Sequence, residues 1–171
     1  MAIEFKLNER KAIESVIWLI QRGQNNMYWV WKMLFAAEKY HLNKYGRPIT
    51  GDTYMAMQRG TVPRWLYKGS GKAKEKYQGF SKNGVLLASE RGYIRKFFSK
   101  TDIEALEFGY DEYKNLKTFD EVQDKNHKEM AWKKNWKKRG VRKEVPIPFE
   151  DFIDEAWLIE ELKWKSHLMA I

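Results

Sequence analysis

Apolar side chains recur every three or four residues from Asn8 to Arg22, with Ala12, Ile13, Val16, Ile17 and Ile20 on one face. Asn8 is placed to cap this helix and Gly23 to stop it. The same period returns in Met27, Val30, Trp31, Leu34, Ala37 and His41, predicting a second helix from about Asn26 to Tyr45 that ends at Gly46. Alanines at 36 and 37 leave room for another helix to approach. These two helices are the expected centre of the core.

The pattern breaks at Gly46-Arg47-Pro48-Ile49-Thr50-Gly51-Asp52, a run of turn formers that no helix passes through. Thr53–Met57 then has the length of a short strand or of one helical turn, and the pattern leaves both open. Gly60-Thr61-Val62-Pro63 predicts a new helix start, with Pro63 in its first turn and Trp65, Leu66 and Tyr67 inside it. Residues 69–78 are polar without an apolar face and are expected to form a mobile loop. Asn83-Gly84, flanked by short apolar runs, predicts a two-stranded hairpin. Ser99-x-x-Asp102 and Thr118-x-x-Glu121 are capping boxes opening two further helices, the second running toward Trp132 and Trp136 with a break near Lys125. Pro146-Ile147-Pro148 forces extended backbone before a last helix from Phe149 to about Lys165. The fold class is therefore mainly α: a compact domain of about six helices with a small β-hairpin or short-strand element.

Composition narrows the function. The 171 residues contain no cysteine, which excludes disulfides, thiolate metal sites and a cysteine nucleophile. No apolar run approaches a membrane span, and charges throughout the first thirty residues argue against a signal peptide, so a cytoplasmic protein without membrane contact is expected. The net charge of +9 is uneven: residues 1–85 carry 15 basic and 6 acidic side chains, while Lys133–Lys143 holds seven bases without an acid and Glu144–Glu161 seven acids without a base. Such an imbalance suits a nucleic acid or an acidic protein partner.

Candidate chemistry is sparse. His41, His127 and His167 have no second ligand at metal-binding spacing, and His41 and His127 read as hydrogen-bonded structural histidines. Gly69-Ser70-Gly71-Lys72 lacks the spacing of a phosphate loop, and no serine sits in a nucleophile elbow. Scattered carboxylates such as Asp52, Asp102 and Glu38 are the remaining acid–base candidates, so no enzyme, cofactor or metal is predicted. Trp132 and Trp136 lie among Lys133, Lys134, Lys137 and Lys138, a mixture able to stack bases and neutralise phosphates. An amphipathic helix with its tryptophans inward and its lysines solvated accounts for the same pattern and is favoured.

The stretch Lys32-Met33-Leu34-Phe35-Ala36-Ala37-Glu38-Lys39-Tyr40-His41-Leu42, continuing through Lys44-Tyr45-Gly46-Arg47-Pro48-Ile49-Thr50-Gly51-Asp52-Thr53-Tyr54, closely resembles the signature of the Panacea, or SocA-like antitoxin, domain. Ala56-Met57 and Gly60-Thr61-Val62-Pro63 resemble its continuation, with Thr61 in place of the usual proline and Arg64 where a small polar residue is common. Ser99–Leu106, His127 with Ala131-Trp132, and Ile147–Asp151 resemble its later motifs. The likeness spans about residues 8–153, which implies a domain over 1–153 and a helical extension over 154–171. What it implies is an antitoxin that neutralises a cognate protein toxin, encoded by an adjacent gene, through direct binding. A proteolytic adaptor that hands its toxin to a protease, a phage-borne inhibitor of a host protein and, less favoured, a nucleic-acid binder are the alternatives. For the toxin interface the candidates are Trp157, Leu158, Leu162, Trp164 and Leu168 of the apolar tail, with Lys133, Lys134, Lys137 and Lys138 steering an acidic partner.

Overall fold

A computed structural model describes residues 2–169. Helix α1 (Glu9–Gln21) starts at Asn8, whose side chain accepts from the Lys11 N–H, and α2 (Met27–Tyr45) starts at Asn26, whose side chain accepts from the Tyr28 N–H. Gly46 closes α2 in the left-handed conformation, its N–H donating to the Leu42 carbonyl. Strands β1 (Tyr54–Met57) and β2 (Gly60–Pro63) form a tight antiparallel pair, and β5 (Glu144–Pro146) pairs antiparallel with the other edge of β1, giving the order β2-β1-β5. Between them lie α3 (Gly71–Lys76), the hairpin β3 (Ser81–Asn83) and β4 (Leu86–Ala88), α4 (Lys100–Tyr113), α5 (Phe119–His127) and α6 (Met130–Lys137); α7 (Ala156–Met169) follows the sheet.

Helix α2 is the axis. Twelve of its residues are buried, and α4 crosses it closely because Gly109 has no side chain: a Cβ there would lie 2.1 Å from the Met33 carbonyl oxygen and 3.1 Å from the Ala37 Cβ. Ala37 thus meets a helix as the sequence predicts, and Gly109 is the complementary half of that approach. Both capping boxes form as read, at Ser99–Asp102 and Thr118–Glu121. The predicted hairpin forms with Gly84-Val85 as its two-residue turn, one position beyond the Asn83-Gly84 pair, with Gly84 at φ 59°, and docks on the start of α2 through Met27 N–H to the Val85 carbonyl (2.7 Å).

Several expectations are corrected. Gly60–Pro63 is a strand, not a helix start: Gly60 sits at φ 107°, a conformation that reverses the chain after β1, and the helical turn begins only at Trp65 as a short wide-pitch π turn ending at Gly69. Residues 71–76 are helical because Ala73 packs on Ile13 and Ile17 of α1, a contact too small to register as an apolar face. The break between α5 and α6 falls at Lys128–Glu129, beyond Lys125. Phe149–Phe152 is a separate 3-10 turn, so the last helix begins at Ala156. The extended segment before Pro146 is a full sheet partner of β1, which joins residues about ninety apart in the chain.

Candidate partner-binding surfaces

The signature turn after α2 is an internal brace. Glu38 is fully buried and accepts from the Ile49 N–H (2.6 Å), the Thr50 N–H (2.9 Å) and the Thr50 hydroxyl. Burial drives its carboxyl up to about 7 against the pull of those three donors. Gly51 takes φ 73°, and a Cβ on it would come 2.7 Å from the Lys6 carbonyl oxygen. Asp52 accepts from the Trp65 N–H (2.9 Å) and the Leu66 N–H (3.1 Å), capping the π turn, and Pro48 and Pro63 lie buried on either side of this brace. Tyr54 packs edge-on against Phe35 and Phe152.

A second buried carboxylate ties the turn to α4. Asp102 accepts from Lys11 Nζ (2.6 Å), the Ser99 N–H (2.9 Å) and Arg47 Nη1 (3.1 Å). Burial alone would raise its pKa, but these donors and charges outweigh it and hold the group below its ordinary value. His41 Nδ1 lies 2.6 Å from the Arg47 carbonyl, which can only accept, so Nδ1 carries the proton and Nε2 accepts from the Thr101 hydroxyl at 2.9 Å. Burial lowers the His41 pKa, keeping the ring neutral. Tyr45 donates to Glu104 (2.7 Å). These residues hold the turn together and present no open chemistry.

The region around β2 is built the same way. The Thr61 N–H donates to Asn126 Oδ1 (2.7 Å), Asn126 Nδ2 donates to the Thr61 hydroxyl (3.0 Å), and the Thr61 carbonyl accepts from Lys32 Nζ (2.9 Å). Two side chains thereby take the place of a neighbouring strand along the open edge of β2. Thr61, where the family usually has proline, supplies an N–H and a hydroxyl that proline lacks. Gly60 is equally constrained, since a Cβ on it would fall 2.2 Å from Asn126 Oδ1. His127 stacks on Trp132 at 3.8 Å and its Nε2 lies 3.0 Å from the Gln58 carbonyl, while Trp132 Nε1 donates to the Met57 carbonyl (2.8 Å). The bracing roles of Glu38, Asn126 and Lys32 are not legible in the sequence, although Lys32 and Glu38 lie in the signature stretch, because their partners are 11, 65 and 29 residues away.

Two surfaces remain open. On α7, Leu158 and Leu162 are buried against the core, their methyl groups within 4 Å of where a Gly46 Cβ would stand. They are thereby corrected from interface candidates to core residues. Trp157, Trp164 and Leu168 face solvent, at 63%, 63% and 55% exposure, and their spacing of seven and four residues places them on one stripe. Ala170 and Ile171, the end of the predicted tail, lie outside the described residues. On α6, Lys133, Lys134, Lys137 and Lys138 are exposed while Trp132 is buried and Trp136 half-buried, the amphipathic arrangement favoured above; Lys134 is spent on Asp151.

The second surface is a groove of about 790 Å³ between α2, the β1–β2 turn, the π turn and the loop from α6 to β5. Lys32, Arg59, Arg139, Arg142 and Lys143 line it together with Val62, and it has no acidic lining residue. The basic stretch read from the sequence thus enters this groove through its later members, Arg139 to Lys143, and the four named lysines of α6 stand outside it.

A family model described as "Antitoxin SocA-like, Panacea domain" matches residues 30–133, more than half of the chain. The protein belongs to the SocA-like antitoxin family. No curated protein and no solved structure matches it. The stretch that matches the Panacea domain runs from the first turn of the core helix α2 to the start of the basic segment in α6, and contains both brace carboxylates, Glu38 and Asp102. Helix α7 and the Arg139–Lys143 wall of the groove lie beyond it. Among the described residues no helix is long and apolar enough to cross a membrane, and no group of three or more His, Asp or Glu side chains could hold a metal ion.

Proposed function

We propose that this Panacea protein is an antitoxin that neutralises a cognate protein toxin by binding it directly, with α7 as the principal contact. The observation that carries this reading is the stripe of Trp157, Trp164 and Leu168 on a helix whose opposite side is anchored by Leu158 and Leu162. Two exposed tryptophans on a docked helix lose little conformational freedom on binding and bury large apolar areas, the attributes of interface anchors. The stripe lies outside the shared domain, as expected of a surface that selects one toxin among many. The reading involves no catalytic step and no cofactor: Glu38, Asp52, Asp102 and His41 are occupied by the backbone and side chains they brace. A cytoplasmic location follows from the partner it would meet there.

Co-expression of the tagged chain with the product of the adjacent gene, followed by size-exclusion chromatography, tests this. A joint peak with rescue of growth is the expected result. Rescue without a complex would favour the adaptor route, with the toxin destroyed rather than masked. Absence of both would sink the antitoxin reading.

A further inference from the structure

The basic groove has features that a toxin-binding helix does not require. The indole N–H of Trp31, a lining residue, is buried and has no hydrogen-bond acceptor among the described residues. A buried donor without an acceptor is a costly arrangement that a folded chain seldom keeps. Beside it in sequence, Lys32 is 1% exposed and has one acceptor, the Thr61 carbonyl, with no carboxylate near enough to pair. Burial brings its ammonium down to about 7.

The rest of the lining has the same character. Arg59, Arg139, Arg142 and Lys143 form no ion pair among the described residues, although fourteen such pairs between Lys or Arg and a carboxylate occur elsewhere. The guanidinium groups of the three arginines are instead set in place by neutral partners. Arg59 donates to the Tyr28 hydroxyl (3.1 Å) and lies over the Phe119 ring. Arg139 donates to the Trp136 carbonyl (3.2 Å) and lies over that indole at 4.3 Å, and Arg142 reaches the carbonyls of Lys138 (2.9 Å) and Arg139 (3.0 Å). Each of these arginines keeps further N–H donors free. Tyr28 and Tyr67 add aromatic surface, whereas Trp136 is covered by Arg139 and stacked with Trp132; a volume of about 790 Å³ lies within the range that holds small organic ligands.

We infer that this groove is a binding site for a nucleotide-type ligand, with its phosphates received by Arg59, Arg139, Arg142 and Lys143 and its planar base laid on the aromatic wall. Phosphate matches arginine forks bidentately and offers many acceptor oxygens, which suits a set of cations and donors without any opposing acid. A flat ring accounts for the aromatic surface, which a bare anion would leave unused. An acidic peptide would satisfy the charges but supplies no flat ring. The site is independent of the α7 surface and does not rest on the antitoxin reading.

The test is isothermal titration of the purified full chain with ATP, GTP and inorganic pyrophosphate, together with a short oligothymidylate and an oligoglutamate peptide. Binding of a nucleoside triphosphate at least ten-fold tighter than pyrophosphate, weakened ten-fold or more in Arg142→Ala and in Arg139→Ala with unchanged thermal unfolding, is expected. Tyr67→Phe, which keeps a ring at that position, should retain most of the affinity that Tyr67→Ala loses. Tighter binding of the oligothymidylate than of any mononucleotide would keep the site and assign its phosphates to a strand. Absence of binding by all phosphate probes at millimolar concentration, binding that both arginine variants leave intact, pyrophosphate binding as tightly as the triphosphates, or capture of oligoglutamate alone would overturn it.

Discussion

Of the five buried carboxylate and lysine side chains, Glu14, Lys32, Glu38, Asp52 and Asp102, three differ sharply in how they are held. Asp102 is balanced by cations, so removing its charge leaves Lys11 and Arg47 facing a neutral group and the Ser99 cap weakened. Both cations retain some access to water, at 18% and 44% side-chain exposure, which places the loss at the lower end for a broken buried pair. Asp102→Asn is expected to cost about 3 kcal/mol in urea unfolding. Glu38 and Lys32 have no opposite charge and are governed by burial. For Glu38, whose folded pKa is about 7 against an ordinary 4.5, the folded chain keeps a proton between those values that the unfolded chain has lost. Stability therefore falls as pH rises from 4.5 to 7. For Lys32, about 7 folded against 10.5, the unfolded chain holds the extra proton between those values, and stability rises with pH from 7 to 10.5. The two contributions meet in a minimum near neutrality. Denaturation midpoints measured across pH 4–10 should show it, with Glu38→Gln flattening the acid branch and Lys32→Met the alkaline one.

At the scale of elements, the tightest fit is α2 against α4. With a Gly109 Cβ projected 2.1 Å from a backbone oxygen, no rotamer relieves the clash and the helices must separate. Gly109→Ala is expected to destabilise by about 3 kcal/mol or more despite alanine's better helix propensity, read as a lowered melting temperature. The same α2–α4 packing shows how far local pattern reaches. Caps at Asn8, Ser99 and Thr118 and the stop at Gly46 are legible because each acts within four residues, and the helices they bound form where the apolar period places them. Strand β2 was illegible because Pro63 reads equally as a helix's first turn, and what decides between them is Asn126 and Lys32 closing the strand's far edge. β5 pairs with a strand encoded about ninety residues earlier, beyond any local pattern. The tail shows the same limit: its apolar residues were visible, but only the position of Gly46 beneath α7 separates Leu158 and Leu162, which anchor, from Trp157 and Trp164, which do not. The groove drew on one legible feature, the run of bases up to Lys143, and on Trp31, Lys32 and Arg59, which no spacing brings together.

For the whole molecule, anchor and contact residues on α7 can be separated by substitution, whereas deleting residues 157–171 would strip Leu158 and Leu162 from the core. Trp157→Ser with Trp164→Ser is expected to leave the melting temperature within a degree or two, since both rings are largely hydrated, and to abolish co-elution with the adjacent gene's product. Loss of the complex only in a Lys133→Glu, Lys137→Glu pair, with the tryptophan pair still binding, would move the interface to α6.

The central position of β1 bears on how the chain comes into being. As the ribosome releases it, β1 and β2 can pair at once, but the second edge of β1 has no occupant until β5 emerges about ninety residues later. At 5–20 residues per second that interval lasts roughly 5–20 s. Through it the nascent chain carries an unpaired strand edge open to chaperones, to proteases and to other chains. The time this edge stays open is therefore tied to the pace of translation between β2 and β5.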